Sequence, residues 1–330
     1  MIVEAFAARL HEGMENCRYL EQEGRDYANS FGIGHMNGKL IAGIETGGTK
    51  ILARISDLGG KVVADGRWAT SSSDAALEEL VEFLEAEAGN GKLAAIGMAA
   101  FGPLITDPAS SDYGQVLSTP KSGWSGANLR AELEARLRVP VDIDSDVNAA
   151  AIAEQAIGAG KGLPSVAYVT VGTGIGAGLA IRGESLRGVM HPEGGHLTII
   201  RRPDDEMPSV CRFHASCAEG LVSGPALNRR LGEGRRLSDD PAVAELAAHY
   251  LGQLAASLVL AWSPHRIVWG GGAIAEASLT PMIEIALSAA INGYGVGPAV
   301  AGPGFCSPAV LKNAGLEGAL MMARRRASRS

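Results

Sequence analysis

The chain is short of positive charge. Its 29 Lys and Arg face 36 Asp and Glu, a formal net charge of −7 over 330 residues. A general nucleic-acid binder rests its affinity on a basic surface, so the charge argues against that class. Cysteine is scarce, at four residues, and so few in a chain this long do not make a disulfide scaffold. Long hydrophobic runs are missing too. A membrane span needs ~20 uninterrupted apolar residues, and the longest candidate, Leu251 to Trp262, is short and broken by Gly252 and Gln253. It reads as a buried helix. No basic-then-apolar signal opens the chain, and Glu4, Glu12, Glu15, Glu21, Glu23 and Asp26 count against a transit peptide. The expectation is a cytoplasmic protein with neither a membrane nor a nucleic-acid partner.

What is present is enough for a core. Hydrophobic residues make up 46% and charged residues 20%. At roughly 150 residues per domain, the length suggests two domains or one large one. Glycine, at 44 residues, is about twice its usual ~7% share. Without a collagen period, that excess points to tight turns and to backbone that a ligand approaches closely.

Residues 1–38 differ from the rest, with six acidic and three basic groups and only a brief helical spacing at Ile2, Val3, Phe6, Ala7 and Leu10. They read as an extension weakly tied to the core, with Met36 an alternative beginning. Strands and helices then alternate, an α/β signature. Strands are predicted at Leu40–Ile44, Ile51–Ile55, Lys61–Trp68, Leu93–Met98 and Val139–Ile143, with helices at Ala75–Ala88, Leu129–Leu137 and Val147–Ile157. A second set begins with strands at Val166–Val171 and Leu179–Arg182, then Arg266–Trp269. Strand, Gly-rich turn, strand occurs at the start of both sets. This reads as a duplicated α/β unit, and two facing units would form a cleft, a common ligand site.

Three Gly-rich turns stand at matching points: Glu45–Lys50, Gly172–Gly178 and Gly270–Gly272. Successive backbone N–H groups make anion-binding concavities that only glycine leaves open to a phosphate. Each alone could be a plain tight turn; three together favour nucleotide phosphates. Gly43 to Lys50 is not a P-loop, which needs Gly-Lys-Ser/Thr opening a helix, because a β run follows it. The Gly172-x-Gly174-x-x-Ala177 run is followed by a strand, so a dinucleotide pyrophosphate would lack its helix N-terminus.

Val141-Asp-Ile-Asp-Ser-Asp-Val-Asn148 puts three aspartates at the C-terminal end of a strand, where α/β sheets gather ligands. Ser145 or Asp146 could simply cap the helix that follows. The functional reading is a base for a substrate hydroxyl, with Asp146 favoured. Cys211-Arg-Phe-His214-Ala-Ser-Cys217, with His196 upstream, supplies two Cys and two His, the set of a closed zinc site. His191 is an alternative fourth ligand. The loop Arg201–Ser209 is polar, and a metal would help to order it.

Together these pieces resemble the ROK family (repressor, open reading frame, kinase) of the hexokinase–actin-like ATPase superfamily, over about Ile41 to Gly318. Ile44-Glu-Thr-Gly-Gly-Thr-Lys50 is similar to the first phosphate motif, Ser145-Asp-Val-Asn-Ala149 to the catalytic-aspartate motif and Val171-Gly-Thr-Gly-Ile-Gly176 to the second phosphate motif. Glu193-Gly-Gly-His196 with the Cys/His cluster resembles the sugar-and-zinc signature, and Val268-Trp-Gly-Gly-Gly272 the adenosine motif.

The resemblance implies duplicated actin-like (ribonuclease H-like) α/β domains around an interdomain cleft: a small one at 39–160, a large one with the zinc loop at 161–311, and a C-terminal helix at about 312–325 free to return to the first. It implies an ATP-dependent sugar kinase, a homodimer, using ATP, Mg²⁺ and Zn²⁺. Asp146 would be the general base. Gly102, Pro103, Asn148, Glu193, His196 and Glu219 would bind sugar. Thr46, Gly47, Gly48, Thr49, Lys50, Gly172, Thr173, Gly174, Gly176, Gly270, Gly271 and Gly272 would bind ATP. His196, Cys211, His214 and Cys217 would hold zinc, with His196 also turned toward the sugar. Glu45 stands where the family has aspartate and is a candidate magnesium contact. Glu45, His214 and Thr119-Pro-Lys-Ser-Gly-Trp124 resemble the bacterial fructokinase branch; glucose, mannose and N-acetylhexosamine kinases of the same family are the alternatives. The family also holds sugar-responsive repressors, whose winged-helix domain residues 1–38 are too few and too acidic to form.

Overall fold

The computed structural model describes residues 38–89, 92–232, 234–274, 279–295 and 302–329. Apart from Gly38, the expected N-terminal extension lies outside the described residues.

Strands β1 (Leu40–Thr46), β2 (Lys50–Asp57) and β3 (Val62–Ala69) are followed by helix α1 (Ser73–Ala88) and β4 (Leu93–Ala100). Helix α2 (Leu129–Leu137), β5 (Val141–Ser145) and α3 (Asp146–Ile157) complete the first set. The second set opens with β6 (Ser165–Val171), β7 (Ile175–Ile181) and the short β8 (Glu184–Ser185). Helices α4 (Ala218–Val222), α5 (Gly224–Leu231) and α6 (Pro241–Trp262) precede β9 (Ile267–Gly270). Then come α7 (Leu279–Ile291), β10 (Cys306–Pro308) and α8 (Ala314–Ser328).

The duplication is explicit in the topology. One sheet has the order β3-β2-β1-β4-β5 and the other β8-β7-β6-β9-β10. Each has two antiparallel pairs followed by two parallel ones, so β1 corresponds to β6 and β4 to β9.

Local chemistry sets the helix starts. Ser72, Asn128, Ser145 and Asp240 each accept a first-turn N–H through a side-chain oxygen, and such a cap contributes about 0.5–2 kcal/mol. Helix α6 is long and apolar enough to cross a membrane by composition. Its residues Leu251, Leu254, Leu258 and Val259 are instead packed into the second sheet's core with Val169, Val171 and Trp269. Full burial contributes about 1.5–3 kcal/mol per such side chain.

A seam of small residues joins the two sheets. Helix α3 packs on β6 and β7, and α8 returns to lie on β1, β4 and α3. The helices approach closely because side chains are absent: a Cβ at Gly97 would meet Ala319 O at 1.9 Å, and one at Gly318 would meet Ala149 O at 1.9 Å. Ala149 to Ala153, Tyr168, Val268, Ala319 and Met322 share this seam.

Candidate active site

Asp146 is the first residue of α3, just beyond the end of β5. Ser145 is the cap, its Oγ accepting from Asn148 N at 3.2 Å, so the Asp146 carboxylate is not spent on that bond. Oδ1 accepts from Val147 N at 2.8 Å. The side chain faces a cleft of about 460 Å³ lined also by Glu45, Lys50, Tyr168, Gly270 to Gly272 and Lys312. Burial first, then the charge of Glu45, pushes the Asp146 carboxyl up to about 6; the Val147 N–H and the charge of His191 oppose the shift, and Glu193 adds to it. A carboxylate poised there can take up a proton near neutral pH.

The neighbouring aspartates have other work. Asp144 is fully buried and accepts from Ser145 N (2.7 Å), Asn148 Nδ2 (2.9 Å), Ser185 Oγ (2.5 Å) and Arg187 Nε (2.8 Å). Asp142 accepts from Tyr113 OH and from Arg187.

The same network holds Asn148. The residue is buried, its Nδ2 donates to Asp144 and to Leu186 O, and its Oδ1 accepts from Leu179 N at 3.3 Å. Both amide protons and one lone pair of its oxygen are bonded within the protein.

Glu45, the penultimate residue of β1, lines the cleft. Its Oε2 accepts from Leu316 N at 3.0 Å, in the first turn of α8. Burial pushes its carboxyl up, against the charge of Lys50 and the Leu316 N–H. Thr46 is buried, and among the described residues its Oγ1 has no hydrogen-bond partner. The turn that follows is closed by Gly47 N to Lys50 O (2.9 Å), while Gly48 and Thr49 are exposed. Lys121, from the 119–124 segment, donates to Gly48 O and lies 5.9 Å from the Phe101 ring centroid. Trp124 is buried there, donating to Ser71 O at 2.7 Å.

The second turn is shorter than expected. It comprises Gly172, Thr173 and Gly174, and β7 begins at Ile175. Gly176 is therefore a strand residue; a Cβ on it would meet Val147 Cγ1 at 2.8 Å, so packing against α3 explains it. A Cβ on Gly174 would meet Glu219 Oε2 at 2.6 Å, and one on Gly270 would meet Tyr168 OH at 2.1 Å. Gly271 has φ +94°. Among the described residues, Gly48, Gly172 and Gly272 have no atom within 4 Å of where a side chain would begin, which leaves their surface open to a ligand.

Asp146 also feels the charges of a second group, the Glu193 carboxylate and the His191 imidazole. Glu193, Gly194, Gly195 and His196 form a tight turn pressed on β7, with Glu193 bridged to Ala177. A Cβ on Gly195 would meet Ile175 O at 1.8 Å, hence the paired glycines. His191 Nε2 is 3.0 Å from Glu193 Oε1 and its Nδ1 3.3 Å from Leu104 O, so His191 is no part of the Cys/His cluster. Gly102 and Pro103, joined by a cis peptide, lie beside it. Glu219, in α4, accepts from Ile175 N at 3.0 Å and has Oε1 3.9 Å from His196 Nε2.

The ligand atoms of His196, Cys211, His214 and Cys217 all lie within 4.8 Å of one another. Sulfur-to-nitrogen distances are 3.6 Å (Cys211 to His214 Nδ1) and 3.8 Å (Cys211 and Cys217 to His196 Nδ1). Zinc bonds of about 2.3 Å to sulfur and about 2.0–2.1 Å to nitrogen, at tetrahedral angles, put S and N about 3.6 Å apart. The donor set and its spacing fit such an ion.

The ROK family model matches residues 41–326. The chain belongs to the ROK family. This ROK chain is 32% identical to the fructokinase of Pediococcus pentosaceus over 287 residues, 86% of this chain and 98% of that one. It is 37% identical to the fructokinase of Zymomonas mobilis over 245 residues, 72% and 81% of the two chains. Among solved structures it is similar to the ROK hexokinase of Thermus thermophilus, with TM-score 0.69, 30% identity, and 88% and 100% of the chains covered. The duplicated fold is that of this ROK structure.

Motif reading missed three groups. Tyr168 and Lys312 reach the cleft through long-range topology that local motifs do not show. Lys121 sits in the 119–124 segment, and only the fold brings it to Gly48.

Proposed function

We propose that this ROK protein is an ATP-dependent fructokinase, forming fructose 6-phosphate and ADP. The observation that carries the reading is Asp146: a carboxylate at a strand end, raised to about 6, in a cleft bordered by both sheets. Its fructokinase relatives support the sugar. Asp146 accepts the proton of the 6-hydroxyl, whose oxygen attacks the γ-phosphorus of ATP in line as ADP departs. The open surfaces of Gly48, Gly172 and Gly272 hold phosphates and ribose, and Lys50 and Lys312 add positive charge. Glu193, Glu219 and Nε2 of His196 face the sugar hydroxyls. Glu45 would supply a carboxylate oxygen to a Mg²⁺–ATP site, which typically takes one or two carboxylates plus phosphates. Magnesium, when bound, offsets phosphate charge.

Zinc, on His196, Cys211, His214 and Cys217, would be structural: it would fix His196 through Nδ1 and leave Nε2 to the sugar. We also propose a homodimer, on the family resemblance. The acidic charge supports a protein without nucleic-acid partners, the burial of α6 supports one without a membrane, and use of ATP fits the cytoplasm. A coupled ADP-release assay over a hexose panel tests the function. Fructose should give the highest kcat/KM; tenfold preference for glucose or N-acetylmannosamine would overturn the fructokinase assignment and leave the kinase.

A further inference from the structure

His191 is buried, 5% exposed, and has an oxygen at each ring nitrogen. Nδ1 lies 3.3 Å from the carbonyl oxygen of Leu104, which can only accept. Nε2 lies 3.0 Å from Oε1 of Glu193. A neutral imidazole has one N–H and one lone pair. A neutral His191 would therefore turn its lone pair onto one of these oxygens, inside the protein, where an unmatched polar contact is costly. A doubly protonated ring donates to both.

We propose that His191 is held as an imidazolium and acts as a positioning residue for Glu193. Its ring grips Oε1 and leaves Oε2 for a sugar hydroxyl; among the described residues Oε2 has no hydrogen-bond partner. The inference rests on the fructokinase reading, since it assigns Glu193 to the sugar.

The surroundings agree. The charged groups acting on the ring are Glu193, from its own segment, and Asp146, from the start of α3; the 101–104 segment presents a carbonyl oxygen. Burial alone would lower the ring's proton affinity. The hydrogen bond and charge of Glu193, the Leu104 carbonyl and the charge of Asp146 outweigh it and hold the ring above the usual histidine value. Glycine at 102 lets the segment close on the ring, since a Cβ there would sit 2.4 Å from Nε2.

Two consequences separate this role from simple packing. First, the imidazolium is present below the raised pKa of the ring and is lost as pH rises through it. The lone pair of Nε2 then faces a carboxylate, and sugar affinity falls on the alkaline side. Second, a contact that serves ground state and transition state alike changes KM more than kcat.

The test is an NMR titration of the His191 ring in the wild type and in Glu193→Gln, with fructose kinetics of His191→Gln. The wild-type ring should titrate above the unperturbed ~6.5, and its pKa should fall in Glu193→Gln. His191→Gln should raise KM for fructose roughly tenfold or more, change kcat less, and lose the alkaline rise in KM. Titration at or below ~6.5 in the wild type, an unmoved ring in Glu193→Gln, or an unchanged KM in His191→Gln would each overturn the proposal. If His191→Gln does not fold, the titrations decide. A wild type that phosphorylates no hexose would overturn the kinase reading and the sugar role with it, while the titration would still report the ring's charge.

Discussion

Glu45 accepts the backbone N–H of Leu316 at 3.0 Å, which ties the end of the first strand to the first turn of the last helix. The same carboxylate raises the proton affinity of Asp146. One side chain thus links the closure of the fold to the chemistry of the cleft.

Glu45→Gln keeps an acceptor for Leu316 and removes the charge. A raised carboxyl pKa means that the base is lost as pH falls through about 6. In Glu45→Gln the acid limb of kcat/KM for fructose should move to lower pH, because one cause of the shift is gone. Glu45→Ala should in addition leave the Leu316 N–H unpaired and cost about 1–3 kcal/mol in denaturant unfolding. An acid limb at the same pH in Glu45→Gln would separate the two roles.

Zinc analysis of protein purified without chelator should find about one ion per chain, as a four-ligand site requires. Cys217→Ser should lower the zinc content and raise KM for fructose together, because His196 loses its anchor. Full activity in metal-free protein would contradict this.

Gly195→Ala tests the turn that presents Glu193 and His196. The added Cβ would meet Ile175 O at 1.8 Å, so the turn must lift from β7. We expect a loss of about 1–3 kcal/mol in stability and a higher KM for fructose. Wild-type stability in that variant would show that the turn is not pressed on the strand.

Much of the fold was legible because its signals are local and repeated. Strand, Gly-rich turn, strand at Leu40–Ile55 and again after Val166 anticipated two sheets of one topology. The spacing Cys211, His214, Cys217 anticipated the cluster with His196. Partners distant in sequence were not legible. Asn148 looks free in its motif, but its amide is held by Asp144, by Leu179 of β7 and by Leu186 just past β8. Gly176 looks like turn because β7 starts at Ile175, earlier than its apolar residues suggested. His191 is two residues from Glu193 in sequence, yet only the arrival of Leu104 on its other nitrogen points to its charge.

Asp146→Asn bears most directly on the whole account. The amide is nearly isosteric and cannot take the proton of the hydroxyl. With fructose and ATP we predict a loss of kcat of roughly 10²–10⁴, with fructose affinity largely kept by calorimetry. Wild-type turnover in the purified, folded variant would contradict the assignment of Asp146 as the base.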